Sequence, residues 1–286
     1  MEVVMLEEMI IPKLDIHQID RWRSAWNAAK PFRFVVIDNF LEERFAEALL
    51  REYPPADPAW TSITYTHQKK KFTLTRDFPP NISDFFVMSA SQEFLDLISQ
   101  ITGIGGLLAD SELLGGGCHQ IVNGGFLDVH IDFNVHSVTR NHRRLNAILY
   151  VNKNWEEAYA GFLELWDMQR KVRIANIAPL FNRLVIFETN EISYHGHPVP
   201  LNIPDGMSRK SLAVYYYTAD RKAEQVAPEH NTVYMQTTGI TGYVKTAISS
   251  LVAAKERIVH NGMRQLASQL KTKVIRRMNG LPPQNG

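Results

Sequence analysis

Apolar positions along the chain follow two periods, and the switch between them marks out three zones. To about residue 105 the spacing is mostly helical. Ile16, Ile19, Trp22, Trp26 and Ala29 recur three or four residues apart, as one buried helix face requires. Residues 32–37 form a short β-branched and aromatic run that reads as a strand. Helical spacing returns over 41–53 through Phe45, Ala48 and Leu49, and Pro54-Pro55 stops it. A further helix is expected over 94–101, ended by Gly103.

From about 106 to 220 the pattern becomes short apolar runs cut by turn residues. Gly115-Gly116-Gly117, Asn123-Gly124-Gly125, Asn152 to Asn154 and Pro204-Asp205-Gly206 separate expected strands at 118–122, 126–131, 145–151, 162–166, 172–177, 184–187, 193–197 and 211–218. Eight short strands with no helix between them point to a sandwich or barrel and argue against a doubly wound α/β sheet. Residues 221–286 read as helices again, over 244–259 and 263–278. The expected architecture is mainly β with flanking helices: one catalytic barrel at 106–220, an N-terminal helical region (1–105) packed on it and a C-terminal helical extension (221–286).

Composition sharpens this picture. Apolar residues are 45% of the 286 and charged residues 21%, enough for a buried core. The formal net charge of +1 gives no global nucleic-acid footprint. The single cysteine, Cys118, excludes an internal disulfide. Residues 1–11 lack the basic start and cleavage site of a secretory signal, and no apolar run approaches a membrane span. A soluble, cytoplasmic protein is expected. After Glu256 only basic charges remain, at Arg257, Arg264, Lys271, Lys273, Arg276 and Arg277, a tail suited to an anionic surface or to solvent.

Candidate chemistry concentrates in the strand zone. His130 and Asp132 lie two residues apart on an expected strand, so both side chains project to one face. An imidazole and a carboxylate there are two legs of a facial metal site, and one more imidazole completes a 2-His-1-carboxylate triad with open positions on iron(II). Ser193-Tyr194-His195-Gly196-His197 follows a strand and a polar turn. His195 and His197 share a face, so geometry does not choose between them, and His195 is the favoured ligand. Asp128 reads as a rim residue. Arg209 opens an apolar and aromatic strand. Aimed inward, its guanidinium needs an anion, and the distal carboxylate of a dicarboxylate matches its planar fork. Ser211 points the same way and can add a hydroxyl. Lys69-Lys70-Lys71 and the loop carrying His136, Arg140, His142 and Arg143 read first as solvated, with a lid or anion-contact role for the loop as the alternative.

Taken together, His-x-Asp, a strand, Ser-Tyr-His and then Arg-x-Ser-Leu resemble the iron(II)/2-oxoglutarate dioxygenases, in particular their prolyl-4-hydroxylase-like branch. The similarity runs over roughly 30–235 and includes the entry segment 31–41, the strand 145–155 and the glycine-led strand 160–166. It implies a double-stranded β-helix (jelly roll), iron held by His130, Asp132 and His195, and Arg209 on the distal carboxylate of 2-oxoglutarate. It also implies a cosubstrate hydrogen bond from Tyr150, and Gln120 as a pocket residue. Two departures are the long stretch between His195 and Arg209, with Pro198, Pro200, Pro204 and Gly206, and Ala160-Gly161 in place of two glycines. Retention of Asp132 disfavours halogenation. The resemblance implies hydroxylation of a C–H bond with O2 and 2-oxoglutarate, with ascorbate as a possible reductant. A small-molecule, sugar or amino-acid-like substrate is expected first; the alternatives are a protein (prolyl-type) hydroxylase and a non-oxidative metal-binding jelly roll. Nothing interleaves aromatic and basic residues as a nucleic-acid groove would.

Overall fold

A curled antiparallel sheet forms the body of the protein, and helices cover one of its faces. The computed structural model describes residues 16–57, 60–62 and 67–235. The two expected C-terminal helices, the basic tail and the first residues of the chain lie outside these.

In chain order the elements are α1 (Ile16–Ala28), β1 (Phe34–Asp38), α2 (Glu43–Glu52), β2 (Thr61–Ser62), β3 (Gln68–Leu74), α3 (Pro80–Ser89), α4 (Gln92–Thr102), β4 (Leu108–Ala109), β5 (Gly117–Ile131), β6 (His142–Tyr150), β7 (Leu163–Asp167), β8 (Val172–Ile177), β9 (Arg183–Glu188), β10 (Tyr194–His197), β11 (Ser208–Thr218) and β12 (Val233–Tyr234). The strands follow the order β1-β9-β6-β11-β5-β10-β7-β8, with β3 and β12 also pairing with β5. This strand-rich, half-barrel sheet is a double-stranded β-helix. Among the described residues no helix is long and apolar enough to cross a membrane.

Alternation along the strands builds two interiors. Leu145, Ala147 and Leu149 of β6, Leu184 and Ile186 of β9, and Leu212, Val214 and Tyr216 of β11 face the helices and form the large core with Phe45, Leu49, Phe85, Phe94 and Ile98. The opposite face turns Tyr150, Val185 and Phe187 toward Leu163, Leu165 and Ile177 of the second half of the curl. The inward polar residues therefore sit in a chamber whose back wall is braced by helices. Helix α4 shows how local chemistry sets a boundary. Ser91 accepts a hydrogen bond from the Phe94 backbone N–H at its start, and Gly103 takes the left-handed conformation (φ 72°) at its end.

Several elements differ from the expectation. Residues 118–122 and 126–131 are one long strand, β5, not two. Its first half pairs with β11 and its second half with β10, so the strand passes from one side of the curl to the other. Asn123-Gly124-Gly125 is the corner where it bends. Gly124 has φ +76°, and a Cβ on Gly125 would stand 2.5 Å from Ile121 and 2.8 Å from the Val122 carbonyl. Strand β3 and helix α3 lie outside the expected elements, although α3 carries Ile82, Phe85 and Phe86 at helical spacing after Pro80. Both are held by their neighbours, β3 by pairing with β5 and α3 by burying Ile82, Phe85 and Met88.

The corner gives a direct test. Gly125→Ala should destabilise the fold by about 1–3 kcal/mol, because strand backbone cannot yield to the added methyl. Gly105→Ala, where a Cβ meets nothing within 4 Å, should stay within about 0.5 kcal/mol of the parent. Urea unfolding of both variants measures the difference.

Candidate metal centre

Cross-strand pairing brings the candidate ligands together. His195 of β10 lies directly opposite His130 of β5, and their ring centroids are 4.4 Å apart. Asp132 follows His130 by two positions, just past the end of β5. One ligand atom from each of His130, Asp132 and His195 lies within 4.8 Å of the other two, close enough to share one metal ion. The His130 and His195 Nε2 atoms stand 3.6 and 3.4 Å from the two Asp132 oxygens.

Each histidine is oriented from behind. Nδ1 of His130 donates to the Asp128 carbonyl at 2.8 Å, and Nδ1 of His195 donates to the Ser193 carbonyl at 2.9 Å. A carbonyl only accepts, so both protons sit on Nδ1 and both Nε2 lone pairs face Asp132. Burial is the main cause that lowers His195 to about 4, partly opposed by Asp132. The ring is therefore neutral at pH 7, as a ligand must be.

Asp132 is held in its charged form. Burial opposes the charge, but the interactions that lower it, the Arg143 guanidinium first among them, outweigh burial and keep the carboxyl well below the usual carboxylate range. Oδ2 accepts from Asn146 Nδ2 at 2.7 Å and lies 3.1 Å from the Arg143 guanidinium. Arg143 is 1% exposed and also donates twice to Asn146 Oδ1, at 3.0 and 2.7 Å. It lies over the Tyr215 ring at 3.6 Å and the Phe133 ring at 4.5 Å. Expected as a loop residue, Arg143 is instead a buried clamp on the candidate ligand. Asn146 carries the one signal available in the sequence, a polar residue at an inward position of an otherwise apolar strand.

Arg209 is 4% exposed and faces the same chamber. Its Nε donates to the Gly161 carbonyl at 2.7 Å and one Nη to the Tyr150 hydroxyl at 3.1 Å. Among the described residues no carboxylate lies within ion-pair distance of it, so this buried cation lacks a protein counter-ion. Gly161 is shaped around it: a Cβ there would meet Arg209 at 3.2 Å and Leu201 at 2.3 Å. Ser211 pairs across strands with Tyr150 on one side and His119 on the other. His197 is 3% exposed, and neither ring nitrogen has a protein partner. It is absent from the three-residue ligand cluster.

Other expected residues stand elsewhere. Gln120 alternates to the opposite face from His119, donates to Ser208 Oγ at 2.7 Å and lines an outer cleft with Tyr53, Lys70 and Lys210. It is not beside the ligand cluster. Asp128 at the rim bonds His67 at 2.9 Å. His136 is buried against Asp110 at 3.2 Å, and Arg140 pairs with Glu229 on the surface. The lysine run splits: Lys69 and Lys70 are exposed while Lys71 is partly buried. Burial lowers the Lys71 ammonium to about 8, opposed by Asp132 and reinforced by Arg209 and Arg143, which places it in the field of the chamber.

The donor set suits iron(II). Two neutral imidazoles and one carboxylate on one face leave the remaining coordination positions open. The buried, unpaired Arg209 beside Tyr150 suits a dicarboxylate cosubstrate.

Comparisons with known proteins agree with this chemistry. Residues 116–217 match the family model of the 2OG-Fe(II) oxygenase superfamily. Prolyl 3-hydroxylase OGFOD1 of Mus musculus is 32% identical over 79 residues, 26% of this chain and 14% of that protein. Prolyl hydroxylase EGLN3 of Homo sapiens is 30% identical over 83 residues, 29% of this chain and 32% of that protein. The chain thus spans a third or less of these curated relatives. A crystal structure of a Pseudomonas putida prolyl-4-hydroxylase shares the fold at TM-score 0.51 and 17% identity, over 69% of this chain and 98% of that one. Residues 116–217 thus match the 2OG-Fe(II) oxygenase superfamily, whose cofactors are iron(II) and 2-oxoglutarate, and the similar curated proteins are prolyl hydroxylases.

Proposed function

We propose that this chain is an iron(II)- and 2-oxoglutarate-dependent hydroxylase of an amino-acid-like unit, with His130, Asp132 and His195 holding the metal. The observation that carries the reading is the convergence of these three side chains beside a buried guanidinium that has no counter-ion among the described residues. A non-oxidative metal barrel has no need of such a cation. The similarity to prolyl hydroxylases moves the expectation from a sugar or general metabolite toward a proline-like unit, free or within a peptide.

When bound, iron(II) with 2-oxoglutarate and O2 supplies a two-electron oxidation: the keto acid loses CO2 to become succinate, and a substrate C–H becomes C–OH. The protein's part is placement. Ser193 and Asp128 carbonyls fix the imidazole planes. Asn146 and Arg143 occupy Oδ2 of Asp132 and so leave Oδ1 the freer oxygen for a metal. Arg209, steered by Gly161 and Tyr150, receives the distal carboxylate, and Ser211 lies on the same inward row. Phe187, 4.6 Å from the His195 ring, and the apolar inner wall limit water around the ligands.

With Mn(II) as a redox-inert metal, saturating 2-oxoglutarate should raise the melting temperature by about 5–10 °C at a hundredfold excess over Kd. No rise would count decisively against the reading. Asp132→Ala should abolish the stabilisation by Mn(II) itself. Arg209→Met should keep the Mn(II) response and weaken 2-oxoglutarate binding about 10- to 100-fold, the usual loss for a charge-assisted pair; calorimetric titration separates the two.

A further inference from the structure

Lys71 is a cation of the chamber that the proposed chemistry does not use. It stands on β3 opposite Ile121 of β5, and Ile121 stands opposite Arg209 of β11. Residues paired across strands share a face, so Lys71 and Arg209 both point inward, on opposite flanks of β5 and about 10 Å apart at the backbone. Arg209 is drawn away from Lys71 toward Gly161 and Tyr150. Two cations so placed suit two anionic groups better than one.

The charges around the site support this. In the loaded state the distal carboxylate of 2-oxoglutarate answers Arg209. Asp132 is matched by Arg143, and Glu164 by Arg173. Lys71 is left over, with no acidic side chain in ion-pair distance among the described residues. Within the field of Lys71 lies His197, 3% exposed, with two nitrogens that find no partner among the described residues. A buried polar ring of that kind is satisfied by a ligand or by water.

We propose that Lys71, with His197 in its field, receives a carboxylate of the substrate and thereby selects acidic substrates over neutral ones. The inference rests on the oxygenase reading. A single ammonium with no acidic partner among the described residues matches one carboxylate through a charge-assisted hydrogen bond. The carboxylate comes either from the substrate's own α-carboxyl or from an acidic side chain beside the reacting residue.

The full-length protein, loaded with Mn(II) and saturating 2-oxoglutarate, is titrated with N-acetyl-L-proline, with N-acetyl-L-prolinamide, and with a C-terminally amidated peptide holding Glu next to proline. Binding is read from the melting temperature. One of the two carboxylates should bind about tenfold or more tightly than the neutral amide, and which one does identifies the source. Lys71→Met should erase the preference, and Lys71→Arg should keep most of it. Equal binding of acids and amide, binding of none, or a preference that survives in Lys71→Met overturns the proposal. So does loss of the 2-oxoglutarate response in Lys71→Met, which would assign Lys71 to the cosubstrate. If the parent protein never responds to 2-oxoglutarate, the oxygenase reading fails, and the acid-over-amide comparison with Mn(II) alone still decides the role of Lys71.

Discussion

The pairing of His195 opposite His130 across two antiparallel strands is the constraint on which the rest depends. It sets two imidazoles side by side, tilted by 50°, without any loop having to find its place. Each ring is then locked by the carbonyl two residues before it, Asp128 for one and Ser193 for the other. A one-residue slip of β10 would turn both of its histidines to the other side of the sheet. Gly196 guards that register: a Cβ there would lie 2.8–2.9 Å from backbone atoms of Asp128 and Leu127. Close approach of β10 to β5 and convergence of the ligands are thus one structural fact.

Around this pair the chamber is polar where a protein interior is usually apolar, and most of its charges are answered. Asp132 is buried yet remains ionised, since Arg143 and Asn146 hold one of its oxygens and Tyr215 and Phe133 hold Arg143 in turn. A buried carboxylate with such support does not need to take up a proton. The groups left unanswered, Arg209, Lys71 and the His197 nitrogens, all face the same space. Anionic occupants, as proposed, would complete them.

The helical layer contributes at a distance. By burying the outward residues of β6, β9 and β11 it forces the alternate residues inward, and those are Asn146, Tyr150, Arg209 and Ser211. Packing on one face therefore selects the chemistry of the other. The bend of β5 at Asn123-Gly124-Gly125 lets a single strand serve both sides of the curl, presenting His119 and Ile121 to one flank and His130 to the other.

The sequence alone determined most of the strand set and the helices with clear spacing such as α1 and α4, and it pointed to His130, Asp132, Arg209 and a histidine of the 195–197 pair, with His195 favoured. These were legible because alternation and helical spacing are local, and because His-x-Asp and a charge opening an apolar strand stand out locally. It left His195 and His197 undecided, since both share a face. Tertiary structure resolved that choice in the ligand geometry by giving only His195 a partner strand position opposite His130. It also turned Gln120 away from the ligand cluster, brought Arg143 in from an expected loop to clamp Asp132, and separated Lys71 from its exposed neighbours Lys69 and Lys70. None of these follows from local pattern. Each depends on which strand lies alongside, and the pairing partners are more than thirty residues away in the chain.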